Sequence, residues 1–549
     1  MTAQPLTIPA KHRRSVAVAL FAAWPFPLAL VLICAAAGLL SVILGPDNYW
    51  DLRFYHLYGP WAYLHDRYLY DIGPAQEEGF LNPVADFLLY GLISSPLNEM
   101  PHMVAFIMGA VHGINAAIVF AIACHVIRVP AAGERWTLRG AAFLMGVSGA
   151  GFVSLLGTCS NDLTSSLFVL GSVLGLLKAA DAAGDSKPWL AFTAAGLSAG
   201  IGIGLKYTSG MFIPGLGALG ILAALRRNSV GGLIAFGISA GLGLALVAGH
   251  HMLTLWNDFH NPFFPYFNQI FQSPYFEPEA IVEDRFQVHG LWQLIAFPFR
   301  WTKLASYVVV EPLFRDWRGA ISYVAMAAGA LAFAAARLRG HRRDAAAPTR
   351  GLGLVFVFVA VSYVTWALSS GYYRYVVPLE MLTGVVTMGA LAWVVGDARL
   401  RIILAGAVLT IAGATTVYPD WGRRPYGDRY IDVRVPSLPA NSIVLLATGE
   451  PVSYFIPFAE PKAQYVGIEN NYLRLSQSNK LATELKRVMH TPGRPKFLLN
   501  VDELDQGKWN ELLAQFGLRL SDALCEPIQS NLPGHALSLC PLAAAAQSP

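Results

Sequence analysis

Asp47-Asn-Tyr-Trp-Asp51-Leu-Arg-Phe-Tyr55-His56-Leu-Tyr58-Gly-Pro60 follows directly on the first long apolar segment and opens a polar, aromatic loop running to about Asn82. Two carboxylates, a histidine and several tyrosines stand where a chain leaving a bilayer would emerge. Loops presented by a rigid scaffold are where binding and catalytic groups concentrate, so this stretch reads as the mouth of a site. That reading holds only if the preceding segment, 22–45, crosses a membrane.

Composition says that it does. Of 549 residues, 55% are hydrophobic and 13% charged, and the mean hydropathy is +0.46. Soluble domains carry about 25% charged residues. The deficit excludes a large soluble enzyme and points to an all-α polytopic membrane protein. A net charge of +4 makes no case for nucleic-acid binding. A spanning helix needs about 20 apolar residues. Segments near 22–45, 102–127, 139–157, 163–180, 189–205, 208–225, 229–254, 319–336, 352–369, 376–395 and 401–418 meet or approach that length, which predicts about eleven spans.

Cations mark one side of this array. Lys11, Arg13 and Arg14 precede the first span; Arg128, Arg135 and Arg139 lie between the second and third. Lys178 and Lys187, Arg226 and Arg227, the run Arg337 to Arg343, and Arg399 with Arg401 follow at every second connection. The positive-inside rule then places the N-terminus in the cytoplasm. The N-terminal segment lacks a small-residue cleavage site and reads as a retained signal anchor.

Residues 1–420 form the membrane domain, with large outer loops at 46–101 and 256–318. Within the first, the apolar piece Pro83–Ser94 is too short to span and is expected at the interface or re-entrant. Residues 421–549 have soluble composition. Ser442–Ala447 and Lys496–Val501 read as buried strands, and Lys480–Met489 and Lys508–Phe516 as helices, giving a small α/β domain outside the membrane. Cys34, Cys124 and Cys159 fall in apolar stretches and read as buried small hydrophobes. Cys525 and Cys540 are spaced like partners on neighbouring strands, and a disulfide is their expected state in an oxidising compartment. The glycines of Gly200-Ile-Gly-Ile-Gly204 read as a helix-packing face.

Ionisable groups at span ends are costly and mark sites. On the outer side these are Asp47, Asp51 and His56 in the first loop, Asp162 after Asn161, Lys206 beside Tyr207, and Arg374 beside Tyr375. Carboxylates on some turns and cations on others suit an anionic ligand met by Lys206 and Arg374, with a general base close by. Asp47 reads as a loop or capping residue, and each Asp also fits a plain N-cap. Lys206 and Arg374 also fit cations snorkelling to lipid phosphates. No His/Cys spacing signals zinc, and no glycine-rich phosphate loop follows a strand.

Asp51-x-x-x-Tyr55, Asp66-x-Tyr-Leu-Tyr-Asp71 and Asn82-Pro83, with Gly204-Leu-Lys206 and Arg374-Tyr375, resemble the GT-C class of membrane glycosyltransferases, and within it the family 87 mannosyltransferase-like members. The resemblance also touches aminoarabinose- and protein-mannosyl transferases. It implies a multi-pass protein of the bacterial inner membrane that uses a polyprenyl-phosphate sugar, with the C-terminal domain in the periplasm. It implies transfer to an acceptor hydroxyl on a glycan or lipid, Asp51 as base and Asp162 orienting the acceptor or lying near a metal. Tyr55, His56, Tyr58, Lys206, Tyr207, Arg374 and Tyr375 become substrate ligands. Tyr55, Tyr58 and Trp61 are candidates to stack on a sugar. A divalent metal bridging Asp51, Asp162 and the phosphate and a metal-free site both fit these residues. The departures are two candidate acids, Asp47 and Asp51, and a single proline, Pro83, where a Pro-Pro pair is common. A flippase of lipid-linked saccharide is the alternative; it would place charges near the midplane of discontinuous helices, often with internal repeats, and the sequence shows neither.

Overall fold

The computed structural model describes residues 25–181, 188–338, 348–502 and 506–545. The basic residues Lys11, Arg13, Arg14, Lys187, Arg339, Arg342 and Arg343 lie outside them. The helical bundle among the described residues is built from α1 (Pro25–Leu44), α2 (Pro101–Val126), α3 (Ala132–Val147), α4 (Ala150–Leu155), α5 (Asn161–Asp181), α6 (Pro188–Leu205), α7 (Ile213–Arg227), α8 (Val230–Phe259), α9 (Arg318–Leu338), α10 (Leu352–Ser369), α11 (Val377–Val394) and α12 (Ala398–Thr415). Ten of these, all but α3 and α4, are long and apolar enough to cross a membrane. Apolar side chains on the outside of the bundle, among them Ile43, Leu246 and Leu331, are more than 70% exposed, as a lipid-facing surface requires. The chain is a polytopic helical protein with a C-terminal α/β domain.

Small residues set the closest helix contacts. A Cβ added at Gly196 would stand 2.1 Å from the Phe236 carbonyl, and one at Gly200 1.9 Å from that of Ala240. The glycine face of α6 therefore lies directly on the α8 backbone. Tight backbone contact of this kind is how helices associate where lipid removes the hydrophobic drive.

The expected third span is broken. α3 ends at Val147 and α4 begins at Ala150, although no proline interrupts 139–157. The break is imposed from a distance: Glu380 of α11 accepts from the Gly151 and Phe152 backbone N–H groups at 2.8 and 3.0 Å. Asp316 accepts from Ala150 N–H at 3.3 Å, and Arg318 donates to the Met145 carbonyl at 2.9 Å. Tyr373 Oη joins Glu380 at 2.6 Å. Buried charge is tolerated here because every group has partners.

The two ends of the bundle differ in chemistry. At one, Ile127 bridges Thr349, His125 and Arg350 meet Asp181, and Arg401 meets Glu134. These are the connections rich in Lys and Arg. At the other end lie the first loop, the α4–α5 and α6–α7 turns, and Tyr373–Val376. The piece Pro83–Ile93 is a short helix that does not span. Leu291–Arg300 is a helix whose Leu291 and Trp292 are strongly exposed, suited to a headgroup layer.

The C-terminal domain has a seven-stranded sheet: β1 (Val433–Arg434), β2 (Ile443–Leu446), β3 (Gln464–Gly467), β4 (Lys496–Val501), β5 (Leu518–Leu520), β6 (Glu526–Ser530) and β7 (Leu537–Ala544). β2 pairs in parallel with β3 and β4; β7 closes antiparallel on β4 and β6. Lys480–Met489 and Gln506–Ala514 are helical, near the expected bounds. A Cys525–Cys540 disulfide joins the start of the β6–β7 hairpin to β7.

The first loop belongs to this domain as much as to the bundle. Ile72 bridges Val466 in parallel, extending the sheet past β3. Arg67 donates to the carbonyls of Pro461 (2.8 Å) and Ala463 (2.5 Å), and Asp71 accepts from Tyr465 N–H at 2.9 Å. The loop is thereby tied to the C-terminal domain as well as to the bundle.

Candidate functional site

Four charges from four separate turns converge at the end of the bundle opposite the basic connections. Asp51 precedes a single π-helical turn, Leu52–His56, that buries Leu52, Phe54 and Tyr55. Its Oδ2 accepts from Arg374 Nη1 at 2.8 Å and from Tyr55 Oη at 3.4 Å. Asp162, in the first turn of α5, takes Lys206 Nζ on Oδ1 at 2.7 Å. Its Oδ2 accepts from Ser160 Oγ at 2.7 Å and lies 3.7 Å from Arg374 Nε. The quartet is neutral as a whole, which makes its burial bearable.

Aromatic rings fix the cations. The Arg374 guanidinium sits 5.2 Å from the Tyr49 ring, 4.9 Å from Tyr372 and 5.3 Å from Tyr375. Lys206 Nζ lies 5.0 Å from Tyr375. Such faces favour a cation while leaving its N–H groups free to bond in other directions.

Burial pushes the Asp51 carboxyl up to about 6, against the pull of His56 and Lys206 and with Asp162 adding to the rise. At neutral pH it is ionised yet basic enough to take a proton. His56 is held by Asp86 through Nδ1 at 2.7 Å. Burial disfavours its charged form, but Asp86 and then Asp51 lift it above its ordinary value.

The structure brings Asp51, Tyr55, His56, Asp162, Lys206, Arg374 and Tyr375 into one neighbourhood; Tyr207 follows Lys206, its ring packed edge-on to Phe263 at 5.4 Å. It separates two others. Tyr58 turns away to donate to Asp71 at 3.2 Å, and Trp61, buried, stacks on His65 and meets Arg67 at 5.0 Å. Both serve the junction with the C-terminal domain, because the i, i+4 pair Arg67–Asp71 lies there and recruits them. Asp47 is structural: fully buried, it accepts from Tyr49 N–H at 2.8 Å and Cys159 N–H at 2.6 Å. Tyr49, Tyr372, Ser160 and Asp86 are parts of the site that the sequence did not single out. The run Tyr372-Tyr373-Arg374-Tyr375 was the available signal for the aromatic cage.

Among the described residues, no group of three His, Cys, Asp or Glu side chains is placed to share a metal ion. Asp51 Oδ2 and both Asp162 oxygens are engaged by Arg374, Lys206, Tyr55 and Ser160, so a divalent ion there would compete with these groups.

An apolar cleft opens between α9, α10, α11 and the helix Leu291–Arg300, lined by Trp301, Tyr323, Met326, Val359, Tyr363 and Leu379. Tyr373 also lines it, while the next residue, Arg374, faces the carboxylates. One turn thus connects an apolar cleft to a charged cluster.

No family model matches the chain, and no curated protein does. Among solved structures it is similar to the crystal structure of ArnT from Cupriavidus metallidurans bound to undecaprenyl phosphate. The identity is 9%, the alignment covers 96% of this chain and 98% of that one, and the TM-score is 0.46.

Proposed function

We propose that the protein is a membrane glycosyltransferase that moves a sugar from a polyprenyl-phosphate donor to an acceptor hydroxyl on the extracytoplasmic face. The observation that carries this reading is the quartet itself: two carboxylates and two cations, drawn from four distant turns and caged by tyrosines, with Arg374 directly following Tyr373 of the apolar cleft. The Asp-x-x-x-Tyr motif and the other resemblances of the loop support it. The charge alternation supports the orientation, with a cytoplasmic N-terminus and an extracytoplasmic C-terminal domain.

In the reaction, the acceptor oxygen bonds to the anomeric carbon as the bond from that carbon to the phosphate oxygen breaks. Asp51 takes the acceptor proton. Lys206 and Arg374 hold the phosphate and stabilise the charge it gains on leaving, and Asp162 orients Lys206. Arg374 is paired with Asp51 and Lys206 with Asp162, so a phosphate bound to these cations competes with the carboxylates and releases Asp51 to act as base. The prenyl chain follows the cleft past Tyr373. The sugar and the acceptor are those whose transfer a panel assay detects: purified protein in nanodiscs, offered polyprenyl-phosphate sugars with glycan and lipid acceptors. Donor consumption with product formed supports the reading. Movement of lipid-linked saccharide across vesicles without consumption would replace it with the flippase.

The helix break between α3 and α4 is the feature that favours a transporter. α3 has 16 residues, about 24 Å of rise, which puts the break near one boundary of a ~30 Å core rather than at its midplane. The charges around it are bound to one another and to backbone, as a structural lock requires.

A further inference from the structure

Beside the quartet lie four side chains whose polar atoms are buried and unpartnered among the described residues: Nε2 of His56, Oη of Tyr68, Oη of Tyr207, and both ring nitrogens of His251. His56, Tyr68 and His251 are 1%, 5% and 1% exposed. Buried donors and acceptors in folded proteins are nearly always paired, so each exception asks for a reason.

These exceptions are neighbours. The Tyr68 and His251 rings are 5.8 Å apart, and Tyr207 and Asp86 stand close enough to Tyr68 to act on it electrostatically. Asp86 carries His56. Asn82 draws the elements together, its amide donating to the Gly204 carbonyl at 2.7 Å and the Val247 carbonyl at 3.3 Å. The first loop is thus pinned to the end of α6 and to α8, the helix bearing His251. The group adjoins the quartet by chain: His56 follows Tyr55, which reaches Asp51, and Tyr207 follows Lys206. Its chemistry is different. Phenols and imidazoles predominate, and the one charged pair, His56 with Asp86, is internally balanced. Such a lining suits neutral hydroxyls, while phosphate belongs to Lys206 and Arg374. The rings of Tyr63, Tyr68 and Phe80 add apolar faces, Tyr63 packing on both Tyr68 and His251 and Tyr68 on Phe80.

We infer that His56, Tyr68, Tyr207 and His251 form a pocket for the hydroxyls of the donor's sugar, and that Tyr68 and His251 determine which sugar is accepted. The inference rests on the glycosyltransferase reading above. A site built to hydrogen-bond a hydroxyl discriminates strongly against a ligand lacking it, because the site's own polar groups are then left unpaired.

The test is equilibrium binding to the full-length protein in nanodiscs, with undecaprenyl phosphate as one probe and undecaprenyl-phosphate glucose, galactose, mannose and arabinose as the others. Wild type binds at least one sugar-bearing lipid more tightly than the bare phosphate. Tyr68→Phe weakens that lipid roughly fivefold to tenfold, the worth of one neutral hydrogen bond, and leaves the bare phosphate unchanged. His251→Phe does the same, and His251→Gln, which keeps a donor, recovers part of the loss and guards against a misfolded variant. Equal weakening of both probes, or none, overturns the pocket. So does a raised melting temperature with unchanged sugar preference, which would mean that the groups are buried without any ligand to serve. Bare phosphate bound without any sugar preference sinks the pocket alone; no binding of any probe sinks the glycosyltransferase reading and the pocket with it.

Discussion

Arg374 touches both carboxylates of the site and three tyrosine rings, so its loss removes more than one charge. Arg374→Ala or Lys206→Ala should lower kcat/KM on the order of a hundredfold, the cost of deleting one donor from a preorganised anion site. Steady-state kinetics with a polyprenyl-phosphate sugar measure it. Asp51 gives the pH prediction. With its pKa near 6, the base is protonated and idle below that pH and ionised above it. kcat/KM, which reports the free enzyme, should therefore rise with pH, with a limb near 6 that Asp51→Asn lacks. These four charges were legible in the sequence because ionisable groups at span ends stand out against an apolar background. Of their partners, Tyr55 and Tyr375 were legible too, whereas Tyr49, Tyr372 and Ser160 were not. Tyr49, Tyr58 and Trp61 look alike as loop aromatics, and only the placement of Arg374 and of Arg67–Asp71 decides which ring serves the site and which the domain junction.

The glycine face of α6 was readable as an element, since small residues three or four apart in an apolar helix imply close packing. The structure turns it into a contrast between two substitutions. Gly200→Val drives a side chain into the α8 backbone and should cost at least about 1–3 kcal/mol. Gly241→Ala, on α8 with nothing within 4 Å of the added Cβ, should be neutral or stabilising by up to about 1 kcal/mol. Thermal unfolding in detergent separates the two. The α3–α4 break had only a weak local signal, the pair Ser148-Gly149 at which it falls, since the stretch 139–157 contains no proline. What interrupts it is Asp316, Arg318 and Glu380, far away in sequence and competing for its backbone groups. The distant polar partners fix a break that Ser148-Gly149 permits locally.

Across the whole molecule, the alternating cations foretold which turns share an end, and the structure gathers them so. The soluble domain was legible from composition and its strands from apolar runs. Its union with the first loop was not, since a single bridge at Ile72 and the Arg67–Asp71 pair leave no periodic trace. The proposed orientation predicts that alkaline phosphatase fused after residue 545 is active in cells, while a fusion after Asn228 is inactive; the reverse pattern would invert the topology. The central claim is that Asp51 is the base of a sugar transfer from a lipid phosphate. The direct measurement compares wild type with Asp51→Asn in nanodiscs for transfer from polyprenyl-phosphate sugars, with bare polyprenyl phosphate binding as the check on the site. The account predicts transfer by wild type, at least about a hundredfold loss in the variant, and retained lipid binding. Full activity in Asp51→Asn would contradict it.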